Sequence, residues 1–306
     1  MSSDALGEAV GEALAELDAP VDPRASWALP AFGTLPAVTE LDEVVTRVLA
    51  PNPSLMTLDG TNTYVLGQPG TGTAIVVDPG PDDDGHLARV EQVLADRDLG
   101  CELVLVTHHH HDHSEAAQRW ARRFGCRVAA STPEVAGDGG WLVSEADRVE
   151  LVPGLRVEVV ATPGHTRDHL AFRLGHGPVL TGDHILGRGT SVVAHPDGDL
   201  VAYLDSLGKV LALGPDALYP GHGPELADGD PTEVVAFYLA HRRYRERQLL
   251  TVLSFGPRTP RQLVEVVYAG YDPSLWDAAE RSTRAAIQKL VAQGQVRVAD
   301  GAVHRA

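Results

Sequence analysis

The residues best equipped for chemistry are consecutive: His108-His109-His110-His111-Asp112-His113, within Val106–Ser114. Imidazole and carboxylate are usual ligands of zinc, and a set without thiolate suits a catalytic site that keeps a coordination position open. Asp112-His113 sets the register as His-x-His-x-Asp-His, leaving His109 and His111 at the x positions. In an extended segment, residues two apart project to the same side, so His108 and His110 face together. On its own, such a cluster fits a surface metal scavenger as well.

Three later segments repeat the arrangement of an apolar run that ends in a ligand. Leu155–Ala161 leads into Thr162-Pro163-Gly164-His165, Pro178–Gly182 ends in Asp183, and Ala217-Leu218-Tyr219 is followed by Pro220-Gly221-His222-Gly223. Glycine before each ligand permits the sharp turn that a strand end needs. Packing alone does not account for strand ends that deliver His108, His110, Asp112, His113, His165, Asp183 and His222. Asp168 and His169, just beyond His165, are candidates for a leaving-group role or for supporting hydrogen bonds. His169 in such a place also reads as a structural hydrogen-bonder. His184 and His195 receive no role.

The elements that must position these groups follow from the apolar patterning. Leu103–Val106 is short and β-branched and reads as a buried strand, and Ser114–Phe124 reads as a helix stopped by Gly125. Upstream, Val44–Ala50, Thr63–Leu66 and Ala74–Val77 are strand-like, and Leu87, Val90, Val93 and Leu94 have helical spacing. Asp78, in the turn Asp78-Pro79-Gly80, could anchor the histidine loop by hydrogen bonding or simply be a turn acid. Strand, helix, strand, helix in sequence implies an α/β layered fold.

The 306 residues leave room for one large domain and a small one, and 43% hydrophobic content suffices for a sizeable core. No apolar run approaches the ~18 residues of a membrane span. Residues 1–22 hold six acidic side chains and no basic one, so no signal peptide is expected. Two cysteines, Cys101 and Cys126, form neither a ligand pattern nor a disulfide framework. A cytoplasmic protein is therefore expected, with no membrane partner and homo-oligomerisation left open.

Charge divides the chain. Residues 230–306 carry 11 Arg/Lys against 8 Asp/Glu, whereas the whole chain is at −17. This asymmetry suggests three regions: an acidic, partly irregular extension at 1–40, a catalytic unit at 41–229, and a separate module at 230–306. In the extension, Leu6, Val10, Leu14 and Leu17 fall on one face of a short amphipathic helix. In the last module, Pro231–Leu253 reads as a long helix carrying Arg242, Arg243, Arg245 and Arg247. Thr259-Pro260 opens a second helix through Val267, and a third runs from Ser274 towards Gln293. A hairpin turning at Asp300-Gly301 completes a winged-helix-like pattern. Arg281, Arg284 and Gln288 form a stripe where a DNA reader would place contacts, but a solvated face is the better reading, because the small positive excess of this module is far from a basic footprint.

The order His-x-His-x-Asp-His, Gly-His, Gly-Asp, Gly-His resembles the metallo-β-lactamase superfamily over about Val44–Glu225. That resemblance implies an αββα sandwich followed by a small winged-helix-like C-terminal domain. The runs Asn52–Tyr64, Thr162–Thr166, Thr181–Gly187 and Tyr219–Pro224 are most similar to the β-lactamase-like endoribonucleases, which carry a similar C-terminal domain. Glu115-Ala116 departs from the two glycines usual in that family. The resemblance implies that His108, His110 and His165 hold a first zinc, that Asp112, His113 and His222 hold a second, and that Asp183 bridges the two.

Two zinc ions with Asp112, Asp183 and one bridging hydroxide leave a net positive cluster, suited to an anionic substrate or transition state. The expected function is a zinc-dependent hydrolase using that hydroxide, with Asp112 orienting it and His169 as a further catalytic candidate. Single-stranded RNA is the leading substrate. Alternatives are a thioester or lactone hydrolase (glyoxalase II-like or acyl-thioesterase) and a non-catalytic nucleic-acid or partner-binding module.

Overall fold

The computed structural model describes residues 3–306, with side chains from Gly7 onward; Leu6 of the amphipathic face lies outside the described side chains. Seven strands form the first sheet in sequence order: β1 (Val38–Glu40), β2 (Val45–Leu49), β3 (Asn62–Leu66), β4 (Gly72–Val77), β5 (Leu99–Leu105), β6 (Arg127–Ala130) and β7 (Trp141–Leu142). β1 to β4 are antiparallel neighbours, whereas β4 to β7 run parallel. The second sheet has the order β12–β11–β10–β9–β8, from β8 (Arg148–Val149), β9 (Val157–Ala161), β10 (Leu170–Leu174), β11 (Val179–Gly182) and β12 (Leu218–Pro220).

Alternating apolar side chains face the two sheets towards each other. Leu66, Ile75, Val77, Leu103 and Leu105 pack against Val157, Val159, Phe172, Leu174 and Leu180 in one buried cluster. The outer face of the first sheet, through Val65, Val76 and Val104, is covered by α2 (Asp84–Asp96) and α4 (Ala117–Phe124), with Trp120 at its centre. Between these helices lie α3 (His111–Ser114) and, beyond β6, α5 (Pro133–Ala136). The predicted helix Ser114–Phe124 is thus two pieces. Glu115 and Ala116 interrupt it, while Gly125 closes it in the left-handed conformation at φ 71° as expected.

The outer face of the second sheet packs on α6 (Leu200–Leu213) and on α7 (Pro231–Ser254). The result is the αββα layering with a C-terminal winged-helix domain. That domain comprises α8 (Pro260–Val267), α9 (Trp276–Ala292) and the hairpin β13 (Val296–Ala299) and β14 (Ala302–Arg305). Thr259 and Gln262 form a capping box that satisfies the first turn of α8. One apolar core spans both units: Val160, Ala171 and Val179 share a cluster with Val235 and Tyr238 of α7 and with Leu263, Ile287 and Val303 beyond it. The acidic extension opens with α1 (Ser3–Ala15), whose Val10 is buried in the same cluster. No helix among the described residues is long and apolar enough to cross a membrane.

Candidate metal centre

The histidine loop hangs on Asp78. At φ 50°, Asp78 turns the chain sharply at the end of β4, beside the end of β5. Its Oδ1 accepts the Thr107 amide at 2.8 Å, and Oδ2 accepts the Thr107 hydroxyl at 2.7 Å and His113 Nδ1–H at 2.8 Å. With its own proton given to Asp78, Thr107 Oγ1 accepts His108 Nδ1–H at 2.9 Å. His108 Nε2 is therefore a lone pair, and both it and His113 Nε2 are directed at the centre. The one-turn helix α3 brings Asp112 and His113 round behind them.

The second sheet supplies the rest by the same construction. His165 donates Nδ1–H to the Val192 carbonyl at 2.7 Å, and His222 donates to the Gly60 carbonyl at 3.1 Å. Asn62 fixes the His222 loop by donating to the carbonyls of Pro220 at 2.9 Å and Gly223 at 2.8 Å. A Cβ on Gly221 would stand 2.6 Å from Asp183 Oδ1 and 2.7 Å from His113 Cε1, so glycine is required for the ligands to close up.

Seven side chains converge. His110 Nδ1 lies 3.0 Å from both His108 Nε2 and His165 Nε2. His222 Nε2 lies 3.2 Å from both His113 Nε2 and Asp112 Oδ2. Asp183 stands between the groups, with Oδ2 3.6 Å from His165 Nε2 and Oδ1 3.4 Å from the Nε2 atoms of His113 and His222. Among the described residues, buried Asp183 Oδ1 has no hydrogen-bond partner.

The electrostatics of the two groups differ. Burial, then the charge of neighbouring imidazoles, holds His108 well below its ordinary pKa and takes His110 to about 4. Burial opposes protonation of His222 too, but Asp183 and Asp112 outweigh it and hold His222 at about 9. Asp112 falls to about 2, because its hydrogen bond with His222 overcomes burial. The first group thus offers neutral nitrogen donors, and the second attracts positive charge. Tied outer nitrogens, converging lone pairs and an orphaned carboxylate oxygen fit two divalent ions held by nitrogen and oxygen alone.

Residues 56–222 match the family model of the Metallo-beta-lactamase superfamily. The chain belongs to that superfamily. Residues 259–303 match the beta-lactamase associated winged helix domain. A beta-lactamase-like protein 2 homolog of Drosophila melanogaster is 35% identical over 88% of this chain and 94% of its own length. Its Caenorhabditis elegans counterpart is 32% identical, over 88% and 91%. A β-lactamase domain protein of Burkholderia ambifaria shares the fold with a TM-score of 0.75 at 23% identity, covering 96% of this chain and 98% of that one. A metallo-β-lactamase family protein of Thermus thermophilus gives 0.73 at 23% identity, over 87% and 100%. The metallo-β-lactamase fold with its His/Asp cluster makes this chain a metallo-hydrolase.

Around that superfamily centre, the other sequence candidates take different places. His169 has neither ring nitrogen free: Nδ1 bonds Thr162 Oγ1 at 2.8 Å, and Nε2 accepts the Asp183 amide at 3.1 Å. These contacts place it in support of Asp183, the structural hydrogen-bonding role that the sequence also allowed. Asp168 pairs with His109 at 2.8 Å. His184 is fully buried against the Tyr203 ring, and the His195 amide donates to the Arg281 carbonyl. The expected arginine cluster also divides. Arg242 is buried, donating to the Ser191 carbonyl and lying 4.9 Å from the Tyr203 ring centroid, so it is not available to a strand of RNA. Arg284 pairs with Glu280, and the Ser282 hydroxyl of the same helix accepts the Val193 amide at 3.3 Å. Helix α9 therefore abuts the 191–195 loop. Thr107, Asn62 and the carbonyls of Gly60 and Val192 have no role in the sequence reading, although Gly60 and Asn62 lie in a run that carries the resemblance.

Proposed function

We propose that the chain is a two-zinc hydrolase, with His108, His110 and His165 holding one ion, Asp112, His113 and His222 the other, and Asp183 bridging. The observation that carries this reading is the division of Asp183, whose two oxygens face different histidine groups. Zinc bound there would supply Lewis acidity and bring a water towards ionisation near neutral pH. Asp112, kept ionised and partly exposed, would accept a hydrogen bond from that water and orient it. Asp78 and Thr107 hold two imidazoles in the required tautomer, so neither spends free energy reorienting during the reaction.

The substrate is an anion cleaved by water, and the leading member of that class is the phosphodiester of single-stranded RNA. A cavity of about 740 Å³ supports this choice; it runs between the 186–192 loop, α7 and α9. Its wall combines tyrosines with Arg188 and Arg245, the pairing of ring and cation that single strands favour. A thioester or lactone is the second reading. It draws on Leu55 and Met56, which line the same cavity and are 60% and 47% exposed, and on the −17 net charge, which opposes a long polyanion. Zinc-loaded protein assayed on single-stranded RNA, thioesters and lactones separates the two. Endonucleolytic cleavage that disappears in His108→Ala and Asp112→Ala is the expected outcome. RNA left intact while thioesters or lactones turn over would establish the second reading instead.

A further inference from the structure

The cavity that shares the 186–192 loop with the centre carries arginines that no ion pair among the described residues neutralises. Of its lining residues only Asp22 is acidic, and Asp22 is already bound to Arg24, accepting from Nε at 2.9 Å and from Nη2 at 2.7 Å. Arg242 donates to the Ser191 carbonyl, and Arg245 donates to Gln248 at 2.9 Å and to the Tyr271 hydroxyl at 2.7 Å. Both guanidinium groups thus spend their bonds on neutral acceptors. Arg188 has less still: among the described residues its Nε and Nη2 atoms are buried without a partner. His241, also on the wall, is kept neutral, since burial and then the charges of Arg242 and Arg245 push it down to about 3.

This positive wall shares the 183–192 segment with the metal cluster. The segment that provides Asp183 also provides Arg188, and Ser191 next along donates its hydroxyl to the Asp183 carbonyl at 2.6 Å. Val192 accepts from His165. Arg188 therefore lies on the cavity wall in the same short segment that supplies Asp183 and orients His165. Beneath that segment, Arg24 donates to the carbonyls of Leu186 at 2.8 Å and Gly189 at 2.7 Å, holding the backbone on either side of Arg188. The backbone is fixed while the guanidinium has no partner, which leaves its planar fork free to turn onto an incoming oxyanion.

We propose that this cavity binds an oxyanion carried on an apolar or aromatic body, with Arg188 as the residue that docks it. The shared chemistry is a phosphate or a carboxylate set back from the bond that is cleaved. The assignment rests on the cavity being the substrate's approach to the centre described above. It makes Arg188 a specificity-determining residue, and it gives the cavity a role in either substrate class.

Calorimetry on the zinc-loaded full chain tests it with two probes, adenosine 5′-monophosphate and decanoate. At least one should bind the wild type. Arg188→Gln should weaken that binding by about tenfold or more, as expected for losing a charge-assisted fork. Arg188→Lys, which keeps charge but not the fork, should weaken it less. Arg243→Gln, exposed and outside the cavity, should leave it unchanged. Tighter binding of the nucleotide would identify phosphate as the docked group, and tighter binding of decanoate would identify carboxylate. Failure of both probes to bind, or equal affinity in Arg188→Gln and the wild type, overturns the proposal. Arg188-dependent binding without any hydrolytic turnover would sink the hydrolase reading and leave the docking site standing. Turnover with Arg188-independent binding would do the reverse.

Discussion

Four of the five histidines proposed as metal ligands are tied at the outer nitrogen. His108, His113, His165 and His222 give their Nδ1 protons to Thr107, Asp78, Val192 and Gly60, and this fixes which nitrogen faces inward. The second group holds protons where a cation would sit, because Asp183 and its carboxylate neighbours outweigh burial at His113 and His222. A ligating imidazole must lose that proton. Zinc binding at pH 7 should therefore release protons, about one from each of these two residues. Release should fade as pH rises past the value of about 9 held by His222. Calorimetry in two buffers of different ionisation enthalpy measures it, and identical heats in both would contradict the assignment. In the metal-free chain the raised His222 stabilises the fold fully below its ordinary value of 6.5, and that contribution is lost as pH climbs through about 9.

The elements determine how closely these residues can approach one another. Gly164, at φ 142°, brings the His165 turn against α6, where an added Cβ would stand 2.3 Å from Tyr203 Cα. Gly164→Ala should cost about 2 kcal/mol or more through overpacking and backbone strain, and should loosen zinc at the His108–His110–His165 group. Thermal unfolding with and without zinc reads both effects, and an unchanged midpoint and zinc affinity would show that the turn tolerates displacement. Much of this scale was legible in the sequence. Apolar runs ending in Gly-His, Gly-Asp and Gly-His located β9, β11 and β12, and Thr259-Pro260 located the start of α8 within a residue. The acceptors that orient the rings were less legible, since a backbone carbonyl such as Val192 has no side-chain signature. The different settings of the α7 arginines are hidden in the sequence for a related reason. A helix shows from sequence which residues share a face, but not that Arg242 turns inward onto Tyr203 and the Ser191 carbonyl.

At the scale of the whole molecule, the centre and the C-terminal unit are parts of one packed body. Tyr238 of α7 is fully buried and accepts the Leu186 amide through its hydroxyl at 2.9 Å, three residues from Asp183. The charge asymmetry seen along the chain has a spatial counterpart, since arginines from α7 line the cavity beside an otherwise acidic catalytic unit. The central claim is that two zinc ions share Asp183 and that hydrolysis needs both. Zinc titration of metal-depleted chain, with bound zinc and turnover measured on the same samples, tests it most directly. The expected result is saturation at about two ions per chain, turnover that rises with the second equivalent, and weakening of both sites together in Asp183→Asn. Full turnover with a single ion bound, or saturation at one, would contradict it.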